Sequence, residues 1–218
     1  MEIIYKTKKS QLKKIKAKNY SLTLDNNYRP LLSFYIKNLN ITKKTDNGLF
    51  FNAKNVINLD KVKKKDGLSY EQCELLFLNL KQQIDALHNK DVSPITLKES
   101  EIYYIENETK PDCFILLNLD NIYEIEKNNI QILTPFHQHK FFSPELKNIR
   151  SFPLSVSKKT IYYSLGLIVM NCLAQFETKI TDDFKFNKHL EIIKETKLYW
   201  ALLRVVEKEP RNRFCLFI

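Results

Sequence analysis

The sequence predicts an α+β chain, a small antiparallel sheet followed by a mainly helical part built around one internal helix. Three observations carry this. The first fifty residues hold short alternating segments and an Asn47-Gly48 turn, a strong hairpin signal. After Asn58 the apolar spacing changes to the helical period, with Cys73, Leu76, Leu80, Ile84 and Leu87 on one stripe. Thr160–Leu173 is apolar almost all round, as a buried central helix must be, and is shorter than the roughly 20 apolar residues that a membrane span needs. The expected division is residues 1–57, β-rich, and 58–218, α-helical.

Glu2–Lys6 and Tyr20–Leu24 alternate as strands, while Ser10–Lys18 fits either a lysine-rich helix or a third strand. Leu31–Ile41 is rich in aromatic and β-branched residues and reads as a strand, with Leu49–Ala53 returning as a hairpin partner. Leu59–Lys65 reads as a short basic helix stopped by Asp66-Gly67. Ser69 is the expected N-cap of a long amphipathic helix reaching about Asn89. Val92–Tyr104 is a loop with a strand-like end, and Cys113–Leu119 is an apolar strand. Asp120–Lys140 reads as an irregular excursion with a short strand near Ile130–Leu133. A polar-aromatic loop over Asp182–Asn187, a helix His189–Lys194 and a last helix Leu198–Glu207, stopped by Pro210, complete the reading.

The composition excludes some chemistry. With only Gly48, Gly67 and Gly166 available, no glycine-rich phosphate loop can be written. No cofactor is expected, and no cysteine or histidine spacing forms a metal site; His137 and His139 lie two apart in a loop. Cys73, Cys113, Cys172 and Cys215 are scattered in apolar contexts with no signal peptide legible before them, which suggests reduced thiols and an intracellular, reducing compartment. The net charge of +10 favours acidic partners. The basic surface candidates are Lys6, Lys8, Lys9, Lys13, Lys14, Lys16 and Lys18 at the start, and Lys61, Lys63, Lys64 and Lys65 on the short helix.

Three short motifs then fall in an informative order: Ser143-Pro144-Glu145, Tyr163-Ser164-Leu165-Gly166 on the apolar helix, and Glu209-Pro210-Arg211-Asn212-Arg213 after the last helix. With the helices between them they resemble the A-P-E, W-S-L-G and D-P-x-x-R motifs of the protein kinase C-terminal lobe, over roughly residues 31–218. The resemblance implies a buried ion pair between Glu145 and Arg213, a small lobe whose fourth and fifth strands are Leu31–Ile41 and Leu49–Ala53, and a hinge at Lys54–Leu59. It also implies a curtailed small lobe, because about 30 residues precede the supposed fourth strand.

The catalytic motifs depart from the pattern. Kinase chemistry needs a carboxylate base in the H-R-D loop, an Asn five residues beyond the Asp of that loop's own D-x-x-x-x-N run, and a D-F-G metal ligand. With Ala86-Leu87-His88 set on the family's L-H, the base position falls on Thr96, the loop lysine on Lys98, the metal-binding Asn on Glu101, and the D-F-G Asp on Asn118, with Asp120 two residues on. The central-helix Asp that braces the catalytic loop is replaced by Ile161, which implies a loop no longer held. Lys37, in Phe34-Tyr35-Ile36-Lys37, is a weak candidate for a nucleotide contact on a strand.

The expectation is a catalytically inactive, kinase-like protein acting as a binding or scaffolding module, with a protein partner. One alternative is a basic nucleic-acid-binding or virion structural protein that reuses the fold, with nucleic acid or another polyanion as partner. A third is a divergent ATP-dependent kinase using Asp120, Glu101 and Lys98.

Overall fold

A computed structural model describes residues 1–26, 29–118, 120–149, 151–174 and 186–217, apart from the side chains of residues 63–66 and 174. The chain opens with β1 (Glu2–Lys6), β2 (Ser10–Lys16) and β3 (Asn19–Leu24), then α1 (Arg29–Asn38), β4 (Asn40–Thr45) and β5 (Gly48–Asn52). The five strands form one antiparallel sheet in the order β1-β2-β3-β5-β4. The undecided segment Ser10–Lys18 is therefore strand over Ser10–Lys16. Leu12, Tyr20, Leu22, Leu49 and Phe51 point inward and are buried.

Leu31–Asn38 lies in helix α1 rather than in a strand, and of the expected strand Leu31–Ile41 only Asn40 and Ile41 are strand, at the start of β4, which corrects the reading above. Its β-rich composition is overridden by tertiary packing: Leu31, Phe34 and Tyr35 stand at helical spacing on one buried side. Arg29-Pro30 opens the helix, where the missing proline N–H costs nothing. Lys110 closes it, its Nζ donating to the carbonyls of Ile36, Lys37 and Leu39 at 3.0, 2.8 and 2.7 Å. Residues 2–52 thus hold five strands and a helix, more regular structure than the spacing suggested.

The residues read as a hinge are β6 (Asn55–Asn58), hydrogen-bonded within a three-stranded sheet to β8 (Ile102–Glu106), which pairs in turn with β9 (Cys113–Leu116). Between them come α2 (Leu59–Asp66), α3 (Tyr70–His88) and β7 (Val92–Pro94). Ser69 caps α3 by accepting from Gln72 N–H at 3.2 Å, while the Gln72 side chain accepts from Ser69 N–H at 3.0 Å. The α3 stripe Cys73, Leu76, Leu80, Ile84 and Leu87 is fully buried.

The excursion after Asp120 is more regular than expected. β10 (Ile122–Glu126) and β11 (Asn129–Ile132) form a hairpin in a four-stranded sheet, β12-β11-β10-β7, whose remaining strand is β12 (Leu154–Ser157). It packs on its own small apolar cluster, with Ile95, Ile130, Ile132, Phe142, Leu146 and Val156. α4 (Pro144–Lys147) follows the long loop, and α5 (Thr160–Ala174) is the central helix, with Ile161, Leu165, Leu167, Ile168, Val169 and Met170 at zero exposure.

Residues 182–185 of the expected polar-aromatic loop lie outside the described residues. Phe186 begins α6 (Phe186–His189), a 3-10 turn spans Glu191–Ile193 where a helix was expected, and α7 (Lys197–Val205) is the last helix. One continuous apolar core joins Leu12 and Leu22 of the five-stranded sheet to Leu76, Ile102, Leu165 and Leu202.

Candidate functional site

The arginine near the chain end organises the base of the helical part. Arg213 has zero exposure, and its guanidinium donates from Nη1 to Glu145 Oε1 at 2.5 Å and from Nη2 to Glu145 Oε2 at 2.8 Å. The remaining donors reach the carbonyls of Glu207 (2.7 Å) and Lys208 (2.9 Å), and Tyr163 of α5 lies 4.9 Å away beneath the guanidinium carbon. Such a planar fork on a carboxylate is the strongest geometry open to an ion pair. Glu145 also accepts from Thr160 at the start of α5, at 2.9 Å. Burial alone would raise the Glu145 pKa, but the Arg213 hydrogen bonds and charge outweigh it and hold the carboxyl below its ordinary value. Of the neighbouring motif residues, Ser143 stands at the N-cap position of α4 without a side-chain cap bond, Pro144 is the helix's first residue, and Gly166 sits where α5 meets the end of α7.

The loop between β7 and β8 brings Thr96, Lys98 and Glu101 together with Asn118 around a pocket of about 20 Å³. That volume holds about one water molecule. Asn118 Nδ2 donates to Glu101 Oε1 at 2.8 Å, and the Lys98 N–H donates to Glu101 Oε2 at 3.2 Å. Burial raises the Glu101 pKa against the opposing pull of Asn118 and Lys98. Asn118 Oδ1 accepts from the Asp120 N–H at 2.9 Å, and Asp120 itself is exposed.

These residues do not fit a magnesium ion. Magnesium requires oxygen ligands in near-ideal octahedral geometry, generally one or two carboxylates together with phosphate oxygens. Here both Glu101 oxygens and the Asn118 oxygen already accept hydrogen bonds. Among the described residues no three His, Cys, Asp or Glu side chains form a metal-binding group.

Thr96 is fully engaged. The Phe141 N–H donates to His139 Nδ1 at 3.3 Å, which places the imidazole proton on Nε2, 3.0 Å from Thr96 Oγ1. Burial, aided by the Lys98 charge, pushes His139 down to about 4, so it is neutral at pH 7 and donates to the threonine hydroxyl. Thr96 Oγ1 then meets Ser164 Oγ of α5 at 3.1 Å, and Ser164 Oγ accepts from the Leu97 N–H at 2.9 Å. The loop is therefore tied to the central helix through Ser164, one turn beyond Ile161. Next to it Glu99, 6% exposed, pairs with Lys140 Nζ at 3.1 Å and accepts from Asn171 of α5. Sequence reasoning missed His139, Lys140, Glu99 and Asn171, because their partners lie 41 to 72 positions away and belong to no motif.

The gap between the five-stranded sheet and the β8–β9 hairpin is closed by direct contacts. Ser10 Oγ of β2 donates to the Leu117 carbonyl at 2.8 Å, and Tyr35 Oη of α1 to the Leu116 carbonyl at 2.6 Å, both buried. Tyr5 of β1 packs edge-on against Tyr103 of β8, ring centroids 5.5 Å apart. Lys37 is exposed in the last turn of α1, not on a strand, and does not line the Glu101 pocket.

Among the basic candidates, Lys6 ends β1, Lys8 and Lys9 form the β1–β2 turn, and Lys13, Lys14 and Lys16 lie on β2. Lys18 pairs with Glu108 at 2.8 Å, and Lys61 is exposed on α2. The side chains of Lys63, Lys64 and Lys65 lie outside the described residues.

Comparison with known proteins supports the architecture. No protein-family model matches the sequence. Ribosomal protein S6 kinase alpha-1 of Rattus norvegicus is 21% identical over 118 residues, 54% of this chain and 16% of that protein. Ribosomal protein S6 kinase alpha-6 of Mus musculus is 23% identical over 118 residues, 54% of this chain and 15% of that protein. A solved structure described as titin kinase and its flanking domains superposes with a TM-score of 0.56 at 13% identity, covering 90% of this chain and 39% of that one. The chain thus spans about one sixth of the curated relatives. It has a protein-kinase-like α+β fold.

Proposed function

We propose that this chain is a kinase-like module that works by binding another protein and does not transfer phosphate. In this reading residues 1–57 serve as the small lobe and 58–218 as the large lobe, in a reducing compartment. The observation that carries it is the closed network at Thr96, Glu101 and Asn118. Phosphoryl transfer depends on positioning a nucleotide, its metal and an acceptor hydroxyl. Here the threonine at the base position is held between His139 and Ser164, and the carboxylate and amide at the metal positions bond to each other.

The contacts of Ser10 with Leu117 and Tyr5 with Tyr103 support the same reading, since they fill the space between sheet and hairpin. Among the described residues no helix is long and apolar enough to cross a membrane. Burial pushes the Cys73, Cys113 and Cys215 thiols up to about 12, which fits structural, unreactive cysteines.

The test is thermal unfolding with ATP and magnesium, paired with a radiolabel-transfer assay against an Asp120→Ala control. The expected result is no change in Tm and no transfer above the control. A ligand at 100 times its Kd stabilises by about 2.7 kcal/mol, which for a chain of this size is a Tm rise of roughly 5–11 °C. A rise of that order, or transfer abolished by Asp120→Ala, overturns the proposal.

A further inference from the structure

The outer face of the five-stranded sheet is built as a basic, apolar-centred platform. Strand register sets two cross-strand rows on it. One runs Ile3, Lys13, Ser21, Phe50, Lys43, and the next runs Lys6, Gln11, Thr23, Gly48, Thr45. Their neighbours Leu12, Leu22, Leu49 and Phe51 are buried on the opposite face, as the two-residue period of a strand requires. The two rows carry three lysines and no carboxylate. Ile3 is 53% exposed and Phe50 is half-buried beside Lys43. At the end of the second row lies a hollow of about 430 Å³, walled by Lys6, Lys8 and Lys9 with Thr23 and Asn47, against one carboxylate, Asp25.

We infer that this face binds single-stranded nucleic acid, with Phe50 as a stacking surface and Lys6, Lys13 and Lys43 neutralising phosphates. The inference goes beyond the protein-binding reading and uses none of the residues around Thr96. A half-buried aromatic with lysines in its own cross-strand row suits a base, which needs only a ring face and nearby cations. It suits a membrane less, because Ile3 is the one well-exposed apolar side chain in the two rows, too little apolar surface to insert. An acidic peptide adding to a sheet would pair with an edge strand, whereas this charge lies on the face.

The experiment is fluorescence anisotropy with a labelled oligothymidylate of 20 residues, with phosphatidylserine vesicles and a polyglutamate peptide as competitors. Three phosphate contacts on a single strand give a salt slope near −2, so affinity should fall about 20-fold between 50 and 200 mM salt. Lys13→Gln with Lys43→Gln should weaken binding and flatten that slope. Phe50→Leu, which keeps the apolar bulk but removes the ring, should weaken binding about 5- to 150-fold with the slope unchanged. Thermal unfolding of each variant, expected within a few degrees of the parent, confirms that the fold is intact. The inference is overturned if the oligonucleotide does not bind at 50 mM salt, if the lysine variants bind as the parent does, or if Phe50→Leu is neutral. Competition by vesicles or polyglutamate as efficient as by unlabelled oligonucleotide also overturns it, reassigning the face to anionic lipid or acidic protein.

Discussion

Replacing Arg213 with methionine isolates the contact beneath the central helix. The substitution keeps much of the side-chain volume but removes two bonds to Glu145, at 2.5 and 2.8 Å, and two to the carbonyls of Glu207 and Lys208. Glu145 is left as a largely buried carboxylate, its side chain 19% exposed, with Thr160 as a remaining partner. Removing one member of a buried pair costs about 3–5 kcal/mol. For a chain of this size that lowers Tm by roughly 6–20 °C.

The pH dependence supplies an independent signature. In the parent, Glu145 has a pKa held below its unfolded value, so its stabilisation is present above the unfolded pKa and is lost as pH falls through the folded one. In the variant, burial acts without the arginine and the pKa rises above the unfolded value. The Glu145 penalty is then full at neutral pH and shrinks as the carboxyl protonates in acid. Urea midpoints measured at pH 7 and pH 5 test both parts, and adding Glu145→Gln to Arg213→Met should recover part of the loss at pH 7. A cost below about 1 kcal/mol at pH 7, or a double variant whose losses simply add, would refute the reasoning.

Other outcomes follow from single contacts. Ser164→Ala leaves the buried Leu97 N–H without its acceptor and should cost about 1–3 kcal/mol in urea unfolding. At Gly166 a Cβ would lie 2.6 Å from Val206 Cγ1 and 2.7 Å from Val205 Cγ2, so Gly166→Ala should destabilise by about 1–3 kcal/mol through overpacking. Ser69→Ala removes the α3 cap, for a loss of about 1 kcal/mol. His88 and His139 are both pushed down to about 4 by burial, so the unfolded chain binds more protons than the folded one between that value and the ordinary histidine range. Stability should therefore fall as pH drops from about 6.5 towards 4, and His139→Phe should flatten the curve over that window.

The long amphipathic helix and the buried central helix were legible because many residues repeat one period, and a stripe such as Cys73 to Leu87 has few alternative uses. Glu145 and Arg213 belong to short motifs 68 residues apart, and the fold brings them to 2.5 Å. α1 was misread because its ten residues offer fewer than three turns of periodicity, while Phe34, Tyr35 and Ile36 carry strand propensity; packing and the Lys110 cap decide its state. That error concealed the five-stranded sheet. At the Thr96 site, residue identities showed which groups differ from the family pattern, but not that His139 arrives from the long loop or that Ser164 bonds to the Thr96 hydroxyl and the Leu97 N–H. Such contacts depend on where a loop lands, which no local pattern encodes.

Lys110 has consequences well beyond capping α1. Its ammonium bonds three carbonyls of the α1 end, Asn107 Nδ2 reaches the Asn38 carbonyl at 2.9 Å, and Glu108 grips Lys18, all from one tight hairpin. Swinging the first sixty residues away from the rest would break these links together, along with Ser10 to Leu117. Among the described residues these links tie the first sheet to the β8–β9 hairpin at several points at once, which opposes gaping between them. A partner that meets the sheet and this hairpin should then find them joined as one body, with association limited by orientation instead of by waiting for a jaw to open.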